Sequence, residues 1–126
     1  MKVKVSELTG RALNYAVTVA EWGDPTDHFG ATFWWEFSGK SSVFVRSERA
    51  LDQSEFNPEG NWAHGGPLIE EYSINLQWEV TYWSANIAGD SVQDGPMPLV
   101  AACRTIVCLR FGEEIEIPDE LCEVVG

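Results

Sequence analysis

A chain of 126 residues, 44% hydrophobic and 12% aromatic, has enough apolar material for one packed core and is not disordered by composition. Its formal net charge of −12 argues against direct binding of DNA or RNA, because neutralising phosphates needs clustered Lys and Arg and the basic residues here are few and scattered. Met1-Lys2-Val3-Lys4-Val5 has no apolar signal core and no run approaches a membrane span, so a soluble, unprocessed protein is expected.

In chain order, Lys2 to Val5 alternates and reads as a short edge strand or an extended lead-in, followed by Ser6 as a cap and Thr9 as a second candidate cap. Leu8, Ala12, Ala16 and Val19/Ala20 recur at helical spacing, widened by Leu13 and Val17, and predict a helix from Leu8 to Glu21. Trp22 and Gly23 end it, and Asp24-Pro25-Thr26-Asp27 is a turn. Phe29 to Phe37 is an aromatic, β-prone run. With Ser42 to Arg46 it predicts a hairpin in which Trp34 and Trp35 point to opposite faces.

Residues 49–54 have room for one helical turn, and Asn57-Pro58-Glu59-Gly60 is a turn. Asn61-Trp62-Ala63-His64-Gly65-Gly66-Pro67 then reads as a rigid bend on the lip of a sheet. Glycines there allow φ > 0 or a close approach, and Pro67 fixes φ. Leu68 to Tyr72, Ser73 to Trp78 and Val80 to Ile87 read as strands, and Gly89-Asp90 as a loop. Gln93 to Pro98 is a rigid lead-in to a second helix, Leu99 to Phe111, with Asp94 as its cap, Pro98 in its first turn and Gly112 as its stop. Glu113 to Ile117 alternates as a last strand, and Pro118 to Leu121 is a closing turn.

The sum is a single α+β domain over residues 1–126: an antiparallel sheet of five to seven short strands, with an N-terminal and a C-terminal helix packed on one face.

The three cysteines, Cys103, Cys108 and Cys122, are odd in number and form no CxxC, which fits free thiols in a reducing cytoplasm. No phosphate-binding loop, dinucleotide fingerprint or nucleophile elbow is present. His28 and His64 offer too few ligands for zinc, so no catalytic residue, metal or cofactor is assigned.

The clearer chemistry is for binding. Trp62 and His64 offer flat rings, and Gly65 and Gly66 offer approachable backbone. Arg104 stands inside an otherwise apolar helix. A planar base stacked on Trp62, with a phosphate on Arg104 and the glycine amides, makes a small nucleotide-like ligand the first expectation. The bland alternative has Trp62 plugging the sheet end, His64 solvated and Arg104 paired with a carboxylate. The second expectation is an acidic, DNA-mimicking inhibitor that occupies a host or phage protein. Six tryptophans beside a hairpin add the expectation of a homo-oligomer.

Four stretches resemble the NinX-like family of small phage and prophage proteins. They are Met1 to Val17 (MKVKVSELTGRALNYAV), Asn61 to Glu70 (NWAHGGPLIE), Asp94 to Arg104 (DGPMPLVAACR) and Phe111 to Leu121 (FGEEIEIPDEL). Residues 24–56 match less well, and their hairpin reads as an elaboration. The resemblance implies a phage-encoded accessory protein in the host bacterial cytoplasm, with no established catalysis. By analogy with small phage proteins that counter host defence, it also suggests capture of a nucleotide immune signal.

Overall fold

The computed structural model describes residues 1–22, 33–37, 42–46 and 57–117; of residue 22 and of 33–37 and 42–46 it describes the backbone. The turns expected at 24–27, 38–41 and 118–121, the helical turn at 49–54, His28, Cys122 and the faces taken by Trp34 and Trp35 lie outside that description.

The described elements follow the order β1 (Lys2–Lys4), a 3-10 turn (Val5–Glu7), α1 (Gly10–Trp22), β2 (Phe33–Phe37), β3 (Ser42–Arg46), α2 (Trp62–Tyr72), β4 (Ile74–Trp78), β5 (Trp83–Ile87), β6 (Asp90–Gly95), α3 (Pro98–Phe111) and β7 (Glu114–Glu116). The class is α+β, as expected. The layout is not one sheet. Among the described residues the strands form three antiparallel sheets: β1 with β7, β2 with β3, and β4-β5-β6.

The organising element is α3. Every residue from Leu99 to Val107 is buried. A helix that is apolar all round belongs in an interior rather than on a surface. It packs on β4, β5 and β6 and also carries α1 and α2. The expectation that the N- and C-terminal helices share one sheet face is therefore corrected: α3 covers the sheet, and α1 packs chiefly on α3. Gly95 makes the sheet-to-helix corner possible, since a Cβ there would lie 2.8 Å from the Ala101 amide nitrogen. The Thr105 hydroxyl donates to the Ser91 carbonyl and ties α3 to β6.

Two further expectations are corrected. Asp90–Gly95 is a strand rather than a loop and lead-in, and the cap before Pro98 is Met97, which makes no side-chain capping bond; Asp94 stays in β6. The signal hidden there is the two-residue connection Ala88-Gly89, both at positive φ, which is the backbone that tight hairpins require. The second correction is larger. Residues Leu68 to Tyr72, read as a strand after a glycine bend, belong to the helix α2.

The chain's early and late segments meet. Lys2 pairs with Glu116, Val3 with Ile115 and Lys4 with Glu114. The Met1 ammonium donates to Glu116 Oε2 at 2.5 Å and to the Ile117 carbonyl at 2.9 Å. Val5, Leu8, Leu13, Val17, Ile106 and Ile117 are core residues, so both chain regions share one apolar cluster.

Candidate functional site

By composition α2 is a poor helix: two adjacent glycines and a proline lie in its interior. Its ends compensate. The Asn61 side chain accepts the Ala63 amide at 2.9 Å, which is an N-cap. Ser73 closes the other end in the left-handed region at φ 53°, its amide donating to Glu70 and Ile69 carbonyls. Neither Gly65 nor Gly66 has positive φ. The close approach expected of this pair is real at Gly65, where a Cβ would sit 2.4 Å from the Pro58 carbonyl oxygen and 2.6 Å from Leu99 Cδ2. At Gly66 a Cβ would meet nothing within 4 Å. Tertiary fit has thus overridden propensity at Gly65 and left Gly66 unexplained by packing.

His64 is half-buried. Its Nδ1 accepts the Asn57 amide at 2.9 Å. Asn57 in turn accepts through Oδ1 from Asn14 Nδ2 at 2.8 Å, while Asn14 Oδ1 accepts the Glu59 amide at 3.0 Å. Buried Asn14 on α1 therefore pins the 57–60 turn, and the turn orients His64. Nothing in the periodicity pointed to Asn14; its one signal was a polar residue amid the apolar positions of the first helix.

Trp62 stands on the first turn of α2 with 56% of its surface exposed. It does not plug a sheet end. Arg104 is 8% exposed; its Nε donates to the Leu8 carbonyl at 2.9 Å and a terminal nitrogen donates to the Asp94 carbonyl at 2.6 Å. Its partners are backbone oxygens, not the carboxylate of the bland alternative. Burial lowers its pKa, with Asp94 and Glu59 acting in the opposite direction. The structure thus gathers Trp62, His64, Gly65 and Gly66 on α2 and sets Arg104 in α3, where its head joins the end of the 3-10 turn at Leu8 to Asp94 near the end of β6.

A second exposed feature went unnoticed in the sequence. β4 and β5 were read as runs separated by one residue, but the chain turns over Glu79 to Tyr82. Thr81 donates its amide to the Glu79 carbonyl at 2.8 Å across Val80, whose φ is +75°. That is the rare γ-turn of positive φ, occupied by a β-branched residue. Val80 is 77% exposed, Trp78 51% and Tyr82 40%. Trp78 lies directly opposite Trp83, their rings 5.3 Å apart and tilted by 49°. The result is an aromatic hairpin tip.

Over residues 4–110 the chain matches the family described as Bacteriophage P22, NinX. The protein belongs to this NinX family. The match runs through residues 24–56, the stretch read as an elaboration, and includes both α2 and the aromatic tip of this NinX-family chain. No curated protein matches it. Among the described residues no group of three or more His, Cys, Asp or Glu could hold a metal ion, and no helix is long and apolar enough to cross a membrane.

Proposed function

We propose that this phage accessory protein acts in the host bacterial cytoplasm by binding rather than catalysis, and that its ligand is a host or phage protein with an apolar socket ringed by basic side chains. The observation that carries this reading is Val80. A β-branched residue at φ +75° costs roughly 1–3 kcal/mol and is kept where strain serves a site. Here it lifts an apolar side chain to the apex between exposed Trp78 and Tyr82. Aromatic anchors of this kind supply most of the energy at protein interfaces. The net charge of −12 selects a basic rim and disfavours both nucleic acid and a second copy of the same chain.

A photo-crosslinking residue at position 80, compared with one at Val92 on β6, tests this in phage-infected cells. One basic protein captured at position 80 alone, and rebinding in purified form with an affinity that falls with salt, is the expected result. Unchanged binding of that protein by a Trp78→Ala/Tyr82→Ala variant would sink the reading.

A second reading, capture of a nucleotide-like ligand, is favoured by one observation: Trp62 presents an open ring on the first turn of α2, one helical turn from Gly66. Arg104 would reach a phosphate only by giving up a carbonyl partner. A thermal-shift screen with cyclic dinucleotides and ADP-ribose separates the readings, since a bound small ligand raises the melting temperature by mass action. Loss of that shift in Trp62→Ala would place the ligand on α2.

A further inference from the structure

The sheet β4-β5-β6 has two edges, and they differ. β6 is guarded: its Ser91 and Asp94 carbonyls accept from Thr105 and Arg104 of α3, and it carries the charges of Asp90 and Asp94. β4, Ile-Asn-Leu-Gln-Trp, has no charge, proline or bulge to discourage strand pairing. Which of its backbone groups lie open follows from the hairpin. Glu79 donates its amide to the Tyr82 carbonyl at 2.8 Å. Hydrogen-bonded pairs alternate along an antiparallel ladder, so Gln77 with Ser84 and Asn75 with Asn86 are the next bonded pairs. The N–H and C=O groups of Ile74, Leu76 and Trp78 therefore point away from β5. Among the described residues they have no backbone partner. The side chains alternate as well. Ile74 is buried and shares the α3 face with Leu76 and with Trp78, which is half-exposed, while Asn75 and Gln77 are exposed on the other face.

An open ladder of this kind is complementary to an extended strand. We propose that two copies of the chain join antiparallel through their β4 edges, about a two-fold axis at Leu76, and make one continuous sheet. In this register Leu76 pairs with Leu76 of the second copy, Ile74 with Trp78, and Asn75 with Gln77. Apolar meets apolar on the α3 face, and amide meets amide on the other. The pairs at Leu76 and between Ile74 and Trp78 bring open groups together on both copies, so each exchanges two N–H···O bonds. Every contact of one copy is returned by the other, as a two-fold axis requires. A register one residue away sets open groups against groups already bonded to β5. The net charge of −12 repels a second copy over most of the surface. Along this edge no like charges meet, because Glu79, the carboxylate next to β4, falls opposite Ser73. The contact goes beyond the binding reading above and uses the backbone of β4 rather than the apex at Val80.

Sedimentation velocity of the full chain over a range of concentrations, at low and at high salt, tests the proposal. A monomer–dimer equilibrium is expected, with the dimer favoured by salt, since screening weakens the repulsion between acidic copies. Asn75→Lys/Gln77→Lys and Asn75→Glu/Gln77→Glu change exposed side chains and set like charges opposite each other across the axis. Each variant alone is expected to dimerise less tightly by roughly tenfold or more, and an equimolar mixture of the two to restore the dimer as a hybrid. Amide exchange reads the register in the wild type: the Ile74, Leu76 and Trp78 amides should slow as concentration rises, while Asn75 and Gln77 stay protected throughout. A monomer at every concentration and salt overturns the proposal. So does a dimer that both charge variants leave intact, or one that the mixture fails to restore. Protection of Ile74, Leu76 and Trp78 by a captured protein, in a chain that stays monomeric, would give the edge to a foreign strand and overturns it too. Crosslinking at position 80 stands or falls independently of these results.

Discussion

The Nε of Arg104 donates to the carbonyl of Leu8 at 2.9 Å, a bond that spans 96 residues of chain. With its second bond to Asp94, it makes a charged side chain a clasp between the end of the 3-10 turn and the end of β6. Removing it leaves two carbonyls without their donor, each worth about 1–3 kcal/mol if it stays dry. Arg104→Ala is expected to lower the unfolding free energy by roughly 2–4 kcal/mol in urea titrations. Arg104→Lys recovers part of this, since one ammonium cannot reproduce the planar fork.

The paired glycines of α2 separate two effects in one helix. Gly65→Ala drives a methyl into the Pro58 carbonyl and Leu99, and is expected to cost about 1–3 kcal/mol. Gly66→Ala meets nothing within 4 Å and is expected to stabilise by about 0.5–1 kcal/mol through helix propensity and a less disordered unfolded chain. Thermal melts of the two variants should move in opposite directions. A fall in both would mean that Gly66 has a role beyond the fold.

Trp62 and His64 divide along the same line. With most of its ring open, Trp62→Ala is expected to change stability by less than about 1 kcal/mol, far below a core aromatic. His64→Ala removes the acceptor of the Asn57 amide and is expected to cost about 1 kcal/mol. Chemical denaturation of each single variant measures both.

Stability should fall at alkaline pH. Burial, the hydrogen bond to Glu21 and the nearby Glu21 and Glu71 charges push the Tyr72 phenol up, against a smaller opposing effect of Arg110. Burial, with Glu59 adding to it, pushes the Cys103 thiol up. Both groups hold their protons more tightly when folded. Their contribution is complete below the unfolded values, about 8.5 for Cys and 10 for Tyr, and is lost as pH rises past them toward the raised folded values. Melting temperatures measured from pH 7 to 11 should decline above about pH 8.5–10, and Tyr72→Phe should flatten the upper part of that decline. A flat profile in the wild type would contradict these shifts.

The two long helices were legible because their apolar spacing runs over several turns, and α1 and α3 fall within about two residues of where that spacing puts them. The β2–β3 hairpin and the β1 and β7 strands followed from alternation and aromatic content. The stretch 61–72 was misread for a physical reason. Gly-Gly-Pro is a breaker by propensity, and only the cap at Asn61, the left-handed Ser73 and the contact of Gly65 with Pro58 and Leu99 make it a helix. None of those contacts is local in sequence pattern. Arg104 stands out in the sequence as an odd charge in an apolar helix, but its partners are carbonyls, which every residue type carries and no sequence displays. The strain at Val80 was hidden for a similar reason, since positive φ is seldom visible in a valine.

The placement of α3 has a consequence for how the polypeptide acquires its form. The helix on which β4, β5, β6, α1 and α2 all pack is formed by residues 98–111, after every one of those partners has been synthesised. An emerging chain lacks its scaffold until that segment clears the ribosome. Until then Leu13, Val17 and Leu68 have no helix to cover them, and β4 and β5 form a hairpin without a floor. Consolidation therefore waits for residues 98–111 and rests on contacts far apart in sequence, which are slow to close. Truncation before residue 98 yields fragments with exposed apolar faces rather than a smaller native domain.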